Sequence, residues 1–161
     1  MFTIKADYSD NIEFKTSLEQ VRAFFADIRN FAELMPGVSG IEVDSNGVAH
    51  WKIVAELPLV GKMDQDFSVE LTENSDERIE WFPLGNESRN FLRFSADFLE
   101  KAKNVTMVHF SQMVELRRRS ARDLHMLAGM AGETIISAEM GKRVTEMIKT
   151  FIHRAKEKLE N

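Results

Sequence analysis

Few side chains in this chain could do chemistry. It has no cysteine, which removes thiolate nucleophiles, thiolate metal sites and disulfide scaffolds and fits a cytoplasmic setting. Of its four histidines, His50 stands beside Trp51, and His109 lies in a stretch that alternates like a strand. Either could act as a general acid–base or hydrogen-bond a ligand; a strand histidine is more commonly a satisfied or exposed structural residue. His125 and His153 read as surface residues. No His-x-x-x-His, His-Glu-x-x-His or clustered acidic pattern occurs, so neither a metal nor another cofactor is expected. Asp64 and Asp66 flank Gln65 and would share one strand face. With no third partner in view, they read as a solvated face opposite Phe67 and Val69. There is no Ser-His-Asp order, phosphate-binding glycine loop or dinucleotide fingerprint. On this reading no catalytic residue is assigned.

The one dense charge cluster is Arg117, Arg118 and Arg119 with Arg122. Guanidinium groups in that number could hold a phosphate, a carboxylated ligand or an acidic membrane surface. A run at a strand end also reads as solvated surface, balanced here by Glu115 and Asp123. The chain as a whole carries a net charge of −5, with its basic surplus confined to the C-terminal part. That balance argues against a nucleic-acid partner, which needs a broad basic surface. No apolar run approaches the roughly 20 residues of a membrane span, and the N-terminus lacks a basic-then-apolar signal pattern. Any membrane contact would therefore be peripheral.

Two kinds of element must position these groups. From about residue 134 to 160, Ile136, Met140, Val144, Met147, Phe151, Ala155 and Leu159 recur at steps of three and four, with Ile148 and Ile152 beside them. That stripe predicts an amphipathic helix roughly 40 Å long, which needs a partner surface to be stable. Residues 2–16 alternate as a long strand, bent or bulged at Ser9-Asp10-Asn11. Ser17 and Gln20 have capping-box spacing before a short helix carrying Val21, Phe24, Phe25 and Ile28. A second helical turn can start at Asn30 and stops before Pro36-Gly37. Strand candidates follow at 38–44, 48–57, 63–72, 78–82, 91–100 and 105–117, divided by turn-formers of which Asn46-Gly47 is the strongest. Short connections predict an antiparallel meander, and one domain over 1–161 is expected. Gly129 and Gly132 suit either a helix junction or a flexible gate.

The segment LEQVRAFFADIRNFAELMPGV, ending at Val38, resembles the helix-loop region of the START/Bet v 1-like (SRPBCC) superfamily. Its Met35-Pro36-Gly37-Val38 is most similar to the branch that joins polyketide cyclase-like proteins with those like the G-subunit of carbon monoxide dehydrogenase. The resemblance implies an α+β helix-grip fold: a curved antiparallel sheet of about seven strands around a long C-terminal helix, with two short helices after the first strand. It also implies a cavity between sheet and helix for a small hydrophobic ligand such as a lipid, quinone or polyketide. Phe24, Trp81, Phe94, Phe110, Met140, Val144 and Phe151 are the residues expected to line it, with several of the nine methionines adapting to its contents. Two other functions are consistent with the resemblance. In a cyclase or dehydratase, His109, Gln112 or Tyr8 would orient an enolate. In an assembly factor of the carbon monoxide dehydrogenase type, the cavity rim would meet a protein partner.

Overall fold

The computed structural model describes every residue from Met1 to Asn161. Seven strands form one antiparallel sheet: β1 (Phe2–Phe14), β2 (Val38–Val43), β3 (Ala49–Leu57), β4 (Gly61–Asn74), β5 (Arg78–Pro83), β6 (Asn90–Ala102) and β7 (Val105–Arg118). Helices α1 (Leu18–Ala26) and α2 (Arg29–Leu34) follow β1, and α3 (Ala121–Leu124), α4 (Ala128–Ala131) and α5 (Glu133–Glu160) follow β7. The spatial order β1-β7-β6-β5-β4-β3-β2 is a meander closed by β1. This is the helix-grip fold, with α5 lying along β1 and reaching across to β3.

β1 is less interrupted than its sequence predicts. It pairs with β7 from Phe2↔Arg118 to Phe14↔Thr106 without a register shift. The polar Ser9-Asp10-Asn11 stretch makes no bulge, because its side chains find partners locally and across the pair: Ser9 and Asn11 both bond His109. α1 starts as its capping residue predicts, with the Ser17 hydroxyl accepting from the Gln20 N–H at 3.2 Å. The reciprocal half of the box is absent, since the Gln20 side chain instead accepts from the Thr16 hydroxyl. Asn30 lies one residue inside α2, donating to the Phe24 carbonyl at 2.8 Å and accepting from Lys158 Nζ at 2.7 Å. It ties α1, α2 and the end of α5 together.

The Pro36-Gly37 turn has a physical reason for its glycine. Gly37 sits at φ +86°, and an added Cβ would meet the Val54 carbonyl oxygen at 3.0 Å and the Met147 methyl at 3.1 Å. The motif is therefore a point of close approach between the loop, β3 and α5. Gly132, at φ +84°, closes α4 and opens α5, so the glycine pair marks a helix junction.

α5 buries Ile136, Met140, Val144, Ile148, Phe151 and Ala155. Ile148 thus belongs to the buried stripe, and Met147 lies at its edge. β1 is an edge strand, and α5 supplies acceptors for its free backbone donors. Thr3 N–H reaches Glu133 Oε1 at 2.5 Å, Lys5 N–H reaches Ser137 Oγ at 3.4 Å, and Lys15 N–H reaches Glu160 Oε2 at 2.8 Å. Covering an edge in this way removes a template for strand addition.

Candidate functional site

The concave face of the sheet divides into two ends. At the α1–α2 end, alternation on β6 and β7 sends Phe94, Phe98 and Phe110 inward to meet rings from the helices. Phe25 lies 5.2–6.3 Å from Phe14, Phe24, Phe31, Phe98, Phe110 and Phe151. Phe31 stacks on Phe151 at 4.7 Å and meets Phe94 at the same distance. Trp51 and Trp81 extend the cluster through Phe94. Such ring pairs interlock by edge and offset contacts and pack as a solid core. Phe24, Trp81, Phe94, Phe110 and Phe151, expected from sequence at the ligand site, are therefore placed in this aromatic core. The number of aromatics points to interior volume, but the rings fill that volume themselves.

The cavity lies toward the other end, between α5 and strands β3, β4 and β7. Steps of four on α5 bring Met140 and Val144 to it, and Met147 joins from the edge of the stripe. Alternation on β7 supplies Gln112, Val114 and Leu116, while β4 supplies Met63, Gln65 and Phe67. Met140, Val144 and Gln112 are thus the predicted residues that meet there. Its volume is about 40 Å³, room for about one water molecule, whereas small-molecule pockets run to about 300–1,000 Å³. Three of the walls are methionines, whose unbranched thioethers change shape readily.

Gln112 is the polar feature of this cavity. It is 3% exposed, and its Oε1 has no hydrogen-bond partner. A buried acceptor left unpaired is costly and unusual. The other polar wall is Gln65, whose Oε1 accepts from Asn90 Nδ2 at 3.2 Å and Arg118 Nη2 at 2.9 Å. The sole titratable side chain in the lining is that of Arg143.

The remaining candidates fall elsewhere. His109 has outward parity on β7 and is exposed, with Nδ1 2.8 Å from Asn11 Oδ1 and Nε2 3.3 Å from Ser9 Oγ. It therefore stands on the sheet face opposite the one that lines the cavity. Tyr8 lies directly across from Gln112 in register but turns its hydroxyl to Asp10 Oδ2 at 3.3 Å. Burial, with help from Asp10, raises its pKa above the ordinary phenol value. His50 bonds Asp44 and Ser68 on the outer surface, and Asp64 and Asp66 are exposed. Met107 and Met113 point outward, and Met126 and Met130 are solvent-exposed. No three His, Asp or Glu side chains come together as a metal site would require, and no helix is long and apolar enough to cross a membrane.

Arg118 groups with its neighbours in the sequence, yet it differs from them in the fold. β7 runs through Arg118, so this side chain takes the inward parity of Val114 and Leu116, while Arg117 and Arg119 are exposed. Both Gln65 and Arg118 are legible as polar residues at core parity, a signal that the charge run obscures in the second case.

The sequence matches no protein-family model, and no curated protein resembles it. Solved structures do resemble it in shape. A START superfamily protein from Mycobacterium smegmatis superposes with a TM-score of 0.63 at 11% identity, covering 96% of this chain and 97% of that one. The Zhui aromatase/cyclase from Streptomyces superposes at 0.62 and 10% identity, with 94% of each chain covered. The di-domain aromatase/cyclase BexL matches at 0.62 and 14% identity over 98% of this chain and 51% of that one, so the present chain spans about half its length. At these identities the shared property is the fold.

Proposed function

We propose that residues 1–161 act as one START/Bet v 1-like domain that binds a small hydrophobic molecule, lipid-, quinone- or polyketide-like, between the sheet and α5. The observation that carries this reading is the methionine-walled cavity with Gln112, whose buried Oε1 is unpaired, in its lining. A ligand hydroxyl or N–H would give that oxygen its missing donor. At about 40 Å³ the cavity is the closed form. Rotation of Met63, Met140 and Met147 and displacement of α5 would open it, as in pockets that ligands draw out of minor conformations. Binding is favoured over catalysis because the lining contains no His, Asp, Glu or Lys to move a proton. A cyclase would have to work through Gln112, Gln65 and Arg143.

Titration with Nile red, an uncharged apolar dye, tests the reading. The wild type should bind in the micromolar range, about −8 kcal/mol. Val144→Trp, or Ala55→Phe from the sheet side, should fill the cavity and raise Kd at least tenfold. His109→Ala, on the outer face, should change it less than threefold. Undiminished binding by a folded Val144→Trp or Ala55→Phe protein would place the dye elsewhere and defeat the proposal.

A further inference from the structure

Beside the cavity stands a cation with no carboxylate in contact, Glu87 and Asp123 acting on it only at longer range. Arg118 is 6% exposed, and its donors go to four neutral acceptors. Nη1 reaches the carbonyls of Arg89 at 3.2 Å and Arg117 at 2.8 Å; Nη2 reaches Gln65 Oε1 at 2.9 Å and Asn90 Oδ1 at 2.6 Å. Its Nε has no partner. No ion pair in the molecule involves Arg118, Arg89 or Arg119, whereas Arg117 pairs with Glu115 and lies 4.4 Å over the Phe91 ring. Burial, and then the charge of Arg89, lower the Arg118 pKa from its ordinary value. A buried guanidinium keeps its charge, so the cost of desolvation falls on the fold until an anion arrives.

The surrounding surface is shaped to admit one. A solvent-open cleft of about 510 Å³ is bordered by Arg89, Arg117, Arg118 and Arg119, with Ser88 and a single carboxylate side chain, Asp123. Arg118 is part of its lining, and the residue Arg118 grips, Gln65, lines the apolar cavity. Cleft and cavity are therefore linked through the Arg118–Gln65 hydrogen bond.

We propose that the ligand is an anionic amphiphile: its apolar chain enters the methionine-walled cavity, and its carboxylate or phosphate head is drawn by the buried charge of Arg118 and bonded by the exposed guanidinium groups of Arg89 and Arg119. This rests on the apolar-binding reading above and narrows its ligand class. Guanidinium forks suit both head groups, since each offers paired oxygens.

The test is displacement of Nile red by three twelve-carbon chains, dodecanol, dodecanoate and dodecyl phosphate, at low and high salt. Dodecanol should displace the dye. One or both anions should do so at concentrations at least tenfold lower, and that advantage should shrink as salt rises. The stronger anion identifies the head group as carboxylate or phosphate. Arg118→Gln should remove the advantage and leave dodecanol unchanged. Should that variant fail to fold, Arg89→Gln and Arg119→Gln, both at exposed positions, should each reduce the advantage severalfold. Equal displacement by all three chains would overturn the anion inference and leave the apolar reading standing. No displacement by any of them would overturn both.

Discussion

At the scale of single residues, the informative positions are polar ones on otherwise apolar faces. Gln112 illustrates what such a position predicts. Its unpaired, buried Oε1 carries a desolvation penalty of about 1–3 kcal/mol that nothing in the protein offsets. Gln112→Leu keeps the volume and removes the penalty, so its urea midpoint should match the wild type or rise by the equivalent of about 1 kcal/mol. A fall larger than that would mean the amide has a protein partner after all. The same variant should weaken ligands that donate a hydrogen bond more than ligands that cannot. These positions are legible in the strand alternation itself: Gln112 and Arg118 sit two and four residues from Val114 on the buried face of β7, as Gln65 sits between Met63 and Phe67 on β4. His109 misleads for the complementary reason. Its residue type suggests chemistry, while its odd position in the alternation already places it opposite Phe110 and Val108.

At the scale of elements, α5 is legible in extent and less so in rotation. Steps of three and four fix a stripe but leave its rotation free by about one residue, and in the fold Ile148 is fully buried while Met147 is only partly so. Phe151 is on the stripe in either rotation, fully buried and stacked on Phe31. Phe151→Ala should therefore cost roughly 3–5 kcal/mol. Lys149→Ala, on the solvent side, should stay within about 0.5 kcal/mol. Equal denaturation midpoints for the two would show that the helix presents another face. The strands are readable to within two residues at each end because turn-formers mark their limits, as at Asn46-Gly47, where Gly47 takes φ +82° and Asp44 Oδ1 accepts from the N–H groups of Asn46 and Val48. Which aromatics border the cavity is not legible, because that depends on how rings from several elements interlock. Strand alternation reports inward or outward and is silent on what lies opposite.

At the scale of the whole molecule, an aromatic-packed end and a methionine-lined end share one sheet, and α5 spans both. Its fastenings are unevenly distributed. Glu133 and Ser137 tie its start to β1; Arg154, Lys158 and Glu160 tie its end to Leu34, Asn30 and Lys15. Between Ser137 and Arg154, no side chain of α5 hydrogen-bonds to the sheet or to another helix; the pairs Lys142–Glu139 and Arg143–Glu146 stay within the helix. Met140, Val144 and Met147 all fall in that unfastened span. Mechanically, α5 is a beam pinned at its two supports and loaded at mid-span, where a ligand would press outward against side chains held only by dispersion. A guest can then be admitted by bowing, with neither pinned end released and no lid required. Spin labels placed at Arg143 and at Lys156, each paired with a label at the outward-facing His109, would read this directly. Dodecanoate should lengthen the first distance by a few ångströms and leave the second fixed; equal displacement of both would mean the helix swings as a rigid rod.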